Sequence, residues 1–136
     1  MLRIRLSIMG VCFLGLFILS NSIAWAENWK QYGVDESGEF YYDAESVTRS
    51  TTNTVKVWTK MVHSKENIKT LEKSLENLHH SNRLWEINCT DKKIRRLSKI
   101  AFSKDGKILI ADNKEENWQS ILSKSLSEKL YENVCR

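Results

Sequence analysis

The residues of this sequence best suited to chemistry are its three cysteines, Cys12, Cys89 and Cys135. Cys12 lies inside an N-terminal apolar run, so Cys89 and Cys135 are the pair that remains in the rest of the chain. In an exported protein two such cysteines predict a disulfide, and the loop that it closes corresponds to roughly 3–4 kcal/mol of stabilisation. The alternative is a reactive thiol or a metal site, for which no histidine or second cysteine stands at ligand spacing.

A cluster of positive charge is the second candidate, because four cations fall within five residues: Lys92, Lys93, Arg95 and Arg96. Such a cluster suits an anionic partner, for example lipid headgroups, lipopolysaccharide or another polyanion. The alternative is a charged sheet surface that discourages edge-to-edge pairing. The sequence therefore predicts a candidate site for an anionic partner, with the surface-charge interpretation still open.

The other ionisable residues do not form a pattern typical of an enzyme. His79 and His80 are adjacent, whereas paired helical metal ligands usually lie four residues apart. Solvated histidines near a helix end are the alternative. No serine has a nucleophile-elbow context and no glycine-rich phosphate loop is present. We therefore expect no catalysis, no cofactor and no metal site.

The N-terminal segment predicts export. Two arginines precede an apolar run over residues 8–19, and Ala24-Trp25-Ala26 places small residues at the −3 and −1 positions of a cleavage site. This pattern is typical of a secretory signal peptide over 1–26. An uncleaved anchor would need an apolar span of about 20 residues. Lipidation at Cys12 is disfavoured because Val11, which is not a small residue, precedes it.

Cleavage would leave residues 27–136 as a single small domain in the periplasm or on the outer cell surface. It removes two of the 21 basic residues and none of the 17 acidic ones, so the formal net charge falls from +4 to +2. A nucleic-acid-binding domain normally has a larger and more clustered positive excess. We therefore expect no nucleic-acid partner and no transmembrane segment after cleavage.

Hydrophobic periodicity predicts an α+β fold in which about six antiparallel strands pack with two helices. The predicted strands are 29–34, 39–43, 54–62, 84–90, 93–103 and 108–110. A bulge would account for the imperfect alternation within 93–103. An apolar stripe predicts a mid-chain helix over 65–80 with Ser64 as its N-cap. The capping box Ser125-Leu126-Ser127-Glu128 predicts a C-terminal helix that the disulfide tethers through Cys135.

Aromatic side chains offer a further candidate surface. Tyr32, Tyr41 or Trp118, where exposed, would form a patch for a protein partner. The alternative places most of the five tryptophans, one of which lies in the signal segment, in the core.

A series of short motifs runs through 27–136. In chain order they are Trp29, Tyr41-Tyr42-Asp43, Val55-Lys56-Val57-Trp58, Glu86-Ile87-Asn88-Cys89, Arg95-Arg96-Leu97, Asp105-Gly106-Lys107, Trp118 and Ser125-x-x-Glu128-x-Leu130-Tyr131-x-x-Val134-Cys135. Their order resembles the surface-adhesin protein E family of small exported bacterial domains. One departure is the lack of the proline that members often carry before the terminal helix. The resemblance implies an antiparallel sheet with helices, the paired cysteines and adhesion.

The sequence thus predicts an exported cell-envelope binding protein, adhesin-like, that acts through protein or surface interaction without catalysis. The alternative is a periplasmic module that binds a small ligand or a polyanion. A third hypothesis, an envelope enzyme, requires a pocket in which ionisable groups converge.

Overall fold

The computed structural model describes residues 27–136, and the predicted signal peptide lies outside them. Eight antiparallel strands form one sheet: β1 Trp29–Asp35, β2 Gly38–Asp43, β3 Thr48–Arg49, β4 Thr54–His63, β5 Leu78–Asn88, β6 Lys93–Ser103, β7 Ile108–Asp112 and β8 Gln119–Ser120. Their order in the sheet is β1-β2-β4-β5-β6-β7, with β3 beside β4 and β8 beside β6. The helices are α1 Lys65–Lys69 and α2 Leu126–Val134. The antiparallel sheet with helices is confirmed, but it has more strands than predicted.

The two additional strands, β3 and β8, are two residues long. Hydrophobic alternation cannot reveal a strand of this length, because it needs at least four residues to be recognised. β3 pairs with the start of β4, beyond the point where β2 stops pairing with it. β8 pairs in the same way with the start of β6.

The helix predicted over 65–80 is wrong beyond its beginning. Ser64 caps α1 as predicted, accepting a hydrogen bond from the Asn67 N–H at 3.1 Å. However, α1 ends at Lys69, a 3-10 helix follows at Lys73–Leu75, and β5 already begins at Leu78. The reason is that the first half of β5 pairs with both β4 and β6. These two ladders override a weak helical periodicity.

Alternation along β4 divides the sheet into two faces. We call the side of the buried β4 residues the core face; these residues are Val55, Val57, Thr59 and Met61. We call the other side the open face, because its β4 residues all keep accessible surface; these are Thr54, Lys56, Trp58, Lys60 and Val62. Alternation of residue types in the predicted strand 54–62 places Val55, Val57, Thr59 and Met61 towards the core and Trp58 on the opposite side, and the structure confirms this assignment.

Helix α2 covers one end of the core face. Its buried residues Leu130 and Val134 join Val55, Val57 and Ile87 in the main hydrophobic cluster. The predicted disulfide between Cys89 and Cys135 is present, with a Cα–Cα distance of 5.6 Å. It attaches the end of α2 to the residue that follows β5.

The bulge predicted in β6 is present. Leu84 and Trp85 are consecutive in β5, but their partners in β6 are Ser98 and Arg96, which leaves Leu97 as an extra residue. A bulge of this kind changes the alternation of the strand that carries it. As a result Arg96 and Lys99 lie on the same face of the sheet although they are three residues apart.

Candidate binding surface

The open face has an apolar floor at its centre. Trp58 of β4 lies opposite Leu84 of β5, and Ile100 of β6 lies opposite Asn82 of β5. Trp58, Leu84 and Ile100 are only partly buried. They line a cleft of about 530 Å³. Ligand sites commonly have volumes of about 300–1,000 Å³ with a mostly apolar lining, so this cleft is the candidate site.

One wall of the cleft comes from the turn after β2. The Asp43 carboxylate accepts hydrogen bonds from the Asn28 N–H at 3.1 Å and from the Glu45 N–H at 3.0 Å. The Ser46 hydroxyl donates to the Asp43 carbonyl at 2.8 Å and accepts from the Trp58 N–H at 3.0 Å. These bonds join the wall to the β4 strand beneath it, so the cleft is largely formed before any ligand arrives.

A lysine and two aromatic rings continue the surface beyond this wall. Lys60 Nζ lies 4.7 Å from the ring centroid of Trp29 and 5.5 Å from that of Tyr41. Both distances are in the range of cation–π contacts. The Tyr41 hydroxyl donates to the Glu39 carboxylate at 2.6 Å, and this bond raises the pKa of Tyr41. Trp29 donates from its indole N–H to Glu27 at 2.9 Å.

Asn82 places a polar atom without a partner in the cleft. Its Oδ1 is buried and accepts no hydrogen bond from the residues that the structure describes. The side chain also lines the cleft, next to Ile100. A buried acceptor left without a donor costs about 1–3 kcal/mol, and proteins leave few such atoms. The cleft is therefore lined by a residue whose buried acceptor has no donor, next to an apolar floor.

The four predicted cations Lys92, Lys93, Arg95 and Arg96 do not lie on one patch. Arg95 pairs with Glu86 on the open face, whereas Arg96 lies opposite Trp85 on the core face. Lys92 occupies the turn before β6 with a positive φ of 52°. Lys93 is exposed at the start of β6.

Carboxylates accompany three of these cations. Arg95 binds Glu86 at 2.6 Å, Arg96 binds Glu116 at 2.8 Å, and Lys92 binds Glu128 at 2.8 Å. Arg95 also lies 4.6 Å from the ring centroid of Trp118. Binding of an anionic partner by the cluster stays a prediction, and such a partner would meet a surface of mixed charge.

The Lys92 contact explains a departure at the start of α2. The Ser125 hydroxyl accepts from the Glu128 N–H at 3.1 Å, as the capping box predicts. The Glu128 carboxylate instead accepts from Lys92 and, at 3.3 Å, from the Lys124 N–H. The hydrogen bond from Lys92, followed by that from Lys124, holds the pKa of Glu128 below its ordinary value.

A family model for surface-adhesin protein E matches residues 29–136 of the sequence. This range includes both cysteines, the whole sheet and α2. The chain belongs to the surface-adhesin protein E family. The resemblance noted in the order of motifs is thereby confirmed.

Solved structures of protein E from Haemophilus influenzae have the same fold. Crystal form II is 11% identical in sequence, with a TM-score of 0.55 over 80% of this chain and 94% of that one. A structure from a non-typeable strain is 10% identical, with a TM-score of 0.54 over 77% of this chain and 74% of that one. At such low identity the likeness concerns the fold alone. No curated protein sequence matches the chain.

The aromatic residues of this family member are placed differently from the prediction. Tyr32 packs against the core, whereas Tyr41 and Trp118 retain accessible surface. The alternative, that most tryptophans lie in the core, is wrong: Trp85 packs against the core while partly exposed, Trp29 and Trp58 are half-buried outside the core cluster, and Trp118 is exposed. Side-chain alternation had already placed Trp58 opposite the core side of β4.

Sequence reasoning missed the cleft itself. Its lining comes from several separate segments, among them β1, the turn after β2, and the open-face side chains of β4, β5 and β6. The signal that could have revealed the cleft is that Leu84 and Ile100 lie on the same side of the sheet as Trp58. Recognising it requires the register between β4, β5 and β6. Register is not readable from one strand at a time.

Two further observations concern residues 27–136. They contain no helix with the length and apolar character needed to span a bilayer. Within the same range, no group of three histidine, cysteine or acidic side chains comes together in a way that would hold a metal ion.

Proposed function

We propose that this protein is an exported cell-envelope binding protein, adhesin-like, that contacts a partner protein or surface through its open face and performs no catalysis. Membership of the surface-adhesin protein E family supports adhesion. The observation that carries the choice of face is the partly exposed cleft over Trp58, Leu84 and Ile100, beside the buried, unpaired Asn82 Oδ1.

A protein is the partner that this surface suits best. Protein interfaces are enriched in tryptophan, tyrosine and arginine, and their binding energy is concentrated in a few such residues. The open face presents Trp29, Trp58 and Tyr41 with Lys60 between two of the rings. Arg95 and Trp118 form a further cation–π contact towards the edge of the sheet.

Photo-cross-linking in living cells tests the proposal without knowledge of the partner. Lys56 is exposed and lines the cleft, so Lys56→benzoylphenylalanine places a reactive group at its rim. The matched control is Lys107→benzoylphenylalanine, at an exposed turn outside the cleft. We expect a discrete adduct from position 56 that is absent from position 107. Equal adducts from both positions, or none from position 56, would contradict the assignment.

The second candidate is a periplasmic module that binds a small ligand or a polyanion. The volume of the cleft favours a small ligand, because it lies within the range of small-molecule sites. The polyanion form of this candidate uses Lys92, Lys93, Arg95 and Arg96.

Protease treatment of intact cells separates the two candidates. A known periplasmic protein serves as the control for an intact outer membrane. If this protein is cleaved while the control survives, it is displayed outside and the adhesin proposal gains its main premise. If both survive, the protein lies on the periplasmic side of the outer membrane, and the periplasmic-module proposal replaces the adhesin proposal.

A further inference from the structure

A second group of cations lies on the core face, on the opposite side of the sheet from the cleft. Arg83 of β5 stands directly opposite Lys99 of β6. The bulge at Leu97 brings Arg96 onto the same face, opposite Trp85. Like charges at directly opposed positions destabilise a pair of strands. The arrangement therefore costs stability unless an opposite charge is present.

Two carboxylates lie near these three cations: both bind Arg96, and one of them, Asp112, also stands directly opposite Lys99 in the β6–β7 pair without forming an ion pair with it. Glu116 and Asp112 lie 2.8 and 3.7 Å from the Arg96 guanidinium. Neither Arg83 nor Lys99 forms an ion pair with any of residues 27–136. Three cations thus share two carboxylates, which leaves one positive charge in excess, and Arg83 and Lys99 are the two cations without an ion pair.

The Arg83 guanidinium also has unused hydrogen-bond donors. Within the described part of the chain it donates once, from Nη1 to Met61 Sδ at 3.5 Å, and a thioether is a weak acceptor. Burial, then the charge of Arg96, lowers the pKa of Arg83; burial, then the charges of Arg83 and Arg96, lowers that of Lys99. Burial raises the pKa of the neighbouring Tyr32 to about 12, so its hydroxyl supplies no negative charge at neutral pH.

We propose that Arg83 and Lys99 bind a small oxyanion, a carboxylate or a phosphate, on the core face of the sheet. The planar guanidinium matches two oxygens of such a group, and the Lys99 ammonium adds a compact charge beside it. Arg83 and Lys99 are both only partly buried. This site is independent of the open-face function.

Titration with simple anions tests the site. Protein purified from cells that express the whole chain is titrated with acetate and, separately, with inorganic phosphate at constant ionic strength, and binding is followed by NMR chemical shifts. We expect saturable binding that weakens at least about tenfold in Arg83→Gln and in Lys99→Gln, the loss of one charge-assisted contact. The anion that binds more tightly identifies the ligand as a carboxylate or a phosphate.

Lys104→Gln is the matched control, because Lys104 is an exposed cation in the turn after β6 and lies outside this group and outside the basic cluster. It should bind both anions as the wild type does. Absence of saturable binding in the wild type, or an equal loss in Lys104→Gln, would overturn the proposal. Lys99→Gln decides the question if Arg83→Gln does not fold, since a Lys99→Gln protein with wild-type affinity would also overturn it.

Discussion

Two consecutive residues of β5 show how differently the two faces of the sheet are used. Ser81 on the core face is 1% exposed, and its hydroxyl is 2.7 Å from His63 Nε2. Asn82 on the open face has a buried Oδ1 that no residue of the described chain satisfies. The same strand therefore carries a satisfied polar group on one side and an unsatisfied one on the other.

The apolar residues differ in the same way. Val57 is 0% exposed beneath α2, whereas the adjoining Trp58 is half-buried in the floor of the cleft. Burial of apolar surface stabilises the fold, and an unpaired acceptor beside accessible apolar surface does not. In these two pairs of residues the core face carries the well-buried, satisfied group, while the open face carries accessible apolar surface and an unpaired acceptor, which suit the proposed binding role.

The largest expected effect concerns the disulfide, which belongs to the core face. Cys89→Ser should lower the free energy of unfolding by about 4 kcal/mol. The disulfide joins residues 46 apart in the sequence and so reduces the conformational entropy of the unfolded chain, and the variant loses this restriction. Urea denaturation measures the change. Reduced wild-type protein is the control and should match the variant. A variant as stable as the oxidised wild type would contradict the stabilising role of the disulfide.

The next prediction compares the core face and the open face of β4. Val57→Ala should cost roughly 2–3 kcal/mol, since it removes buried methyl groups and leaves a cavity under α2. The folded fraction should still cross-link from position 56 with wild-type yield. A loss of cross-linking in folded Val57→Ala protein would mean that the two faces are coupled.

A smaller effect is expected at the satisfied polar group. Ser81→Ala should destabilise the protein by about 1 kcal/mol, because it leaves His63 without one of its two hydrogen bonds. Thermal unfolding at pH 7 measures this change. If Ser81→Ala is as stable as the wild type, the Ser81–His63 hydrogen bond does not stabilise the core face, and the comparison with Asn82 fails.

The smallest effect is pH-dependent and lies at the start of α2. The pKa of Glu128 is below its ordinary 4.5, chiefly because of the hydrogen bond from Lys92. Stability from the carboxylate is thus present above that value and is lost as the pH falls through the lower, folded-state pKa. Glu128→Gln should be slightly less stable than the wild type at pH 7, with urea midpoints converging in acid. A constant difference across pH would contradict the assignment, and Lys92→Gln should reproduce the convergence.

The sequence was sufficient for much of the fold because most strands alternate clearly. The pattern of Val55, Val57, Thr59 and Met61 identified both β4 and its buried side. The disulfide and the Ser125 cap were likewise predictable, because the residue types themselves indicate a cross-link and a helix start. The 65–80 segment failed because its apolar spacing suits a helix, while pairing of β5 with two neighbours determines the outcome.

The candidate site was much harder to predict than the fold. The cleft depends on the register between β4, β5 and β6 and on the turn held by Asp43, and neither follows from one segment alone. The basic cluster shows the converse problem. Its residues are adjacent in sequence, but strand alternation sends Arg95 and Arg96 to opposite faces, where carboxylates from distant segments meet them.

Asn82→Leu provides the most direct test that the open face is kept for binding. Leucine has a similar shape and removes the unpaired oxygen, so the free energy of unfolding should stay the same or rise. In the protein that also carries Lys56→benzoylphenylalanine, the adduct yield should fall, because the substitution alters the lining of the cleft to which the proposal assigns the partner. A variant that loses stability and keeps the full adduct yield would show that Asn82 serves the fold, and would contradict the account.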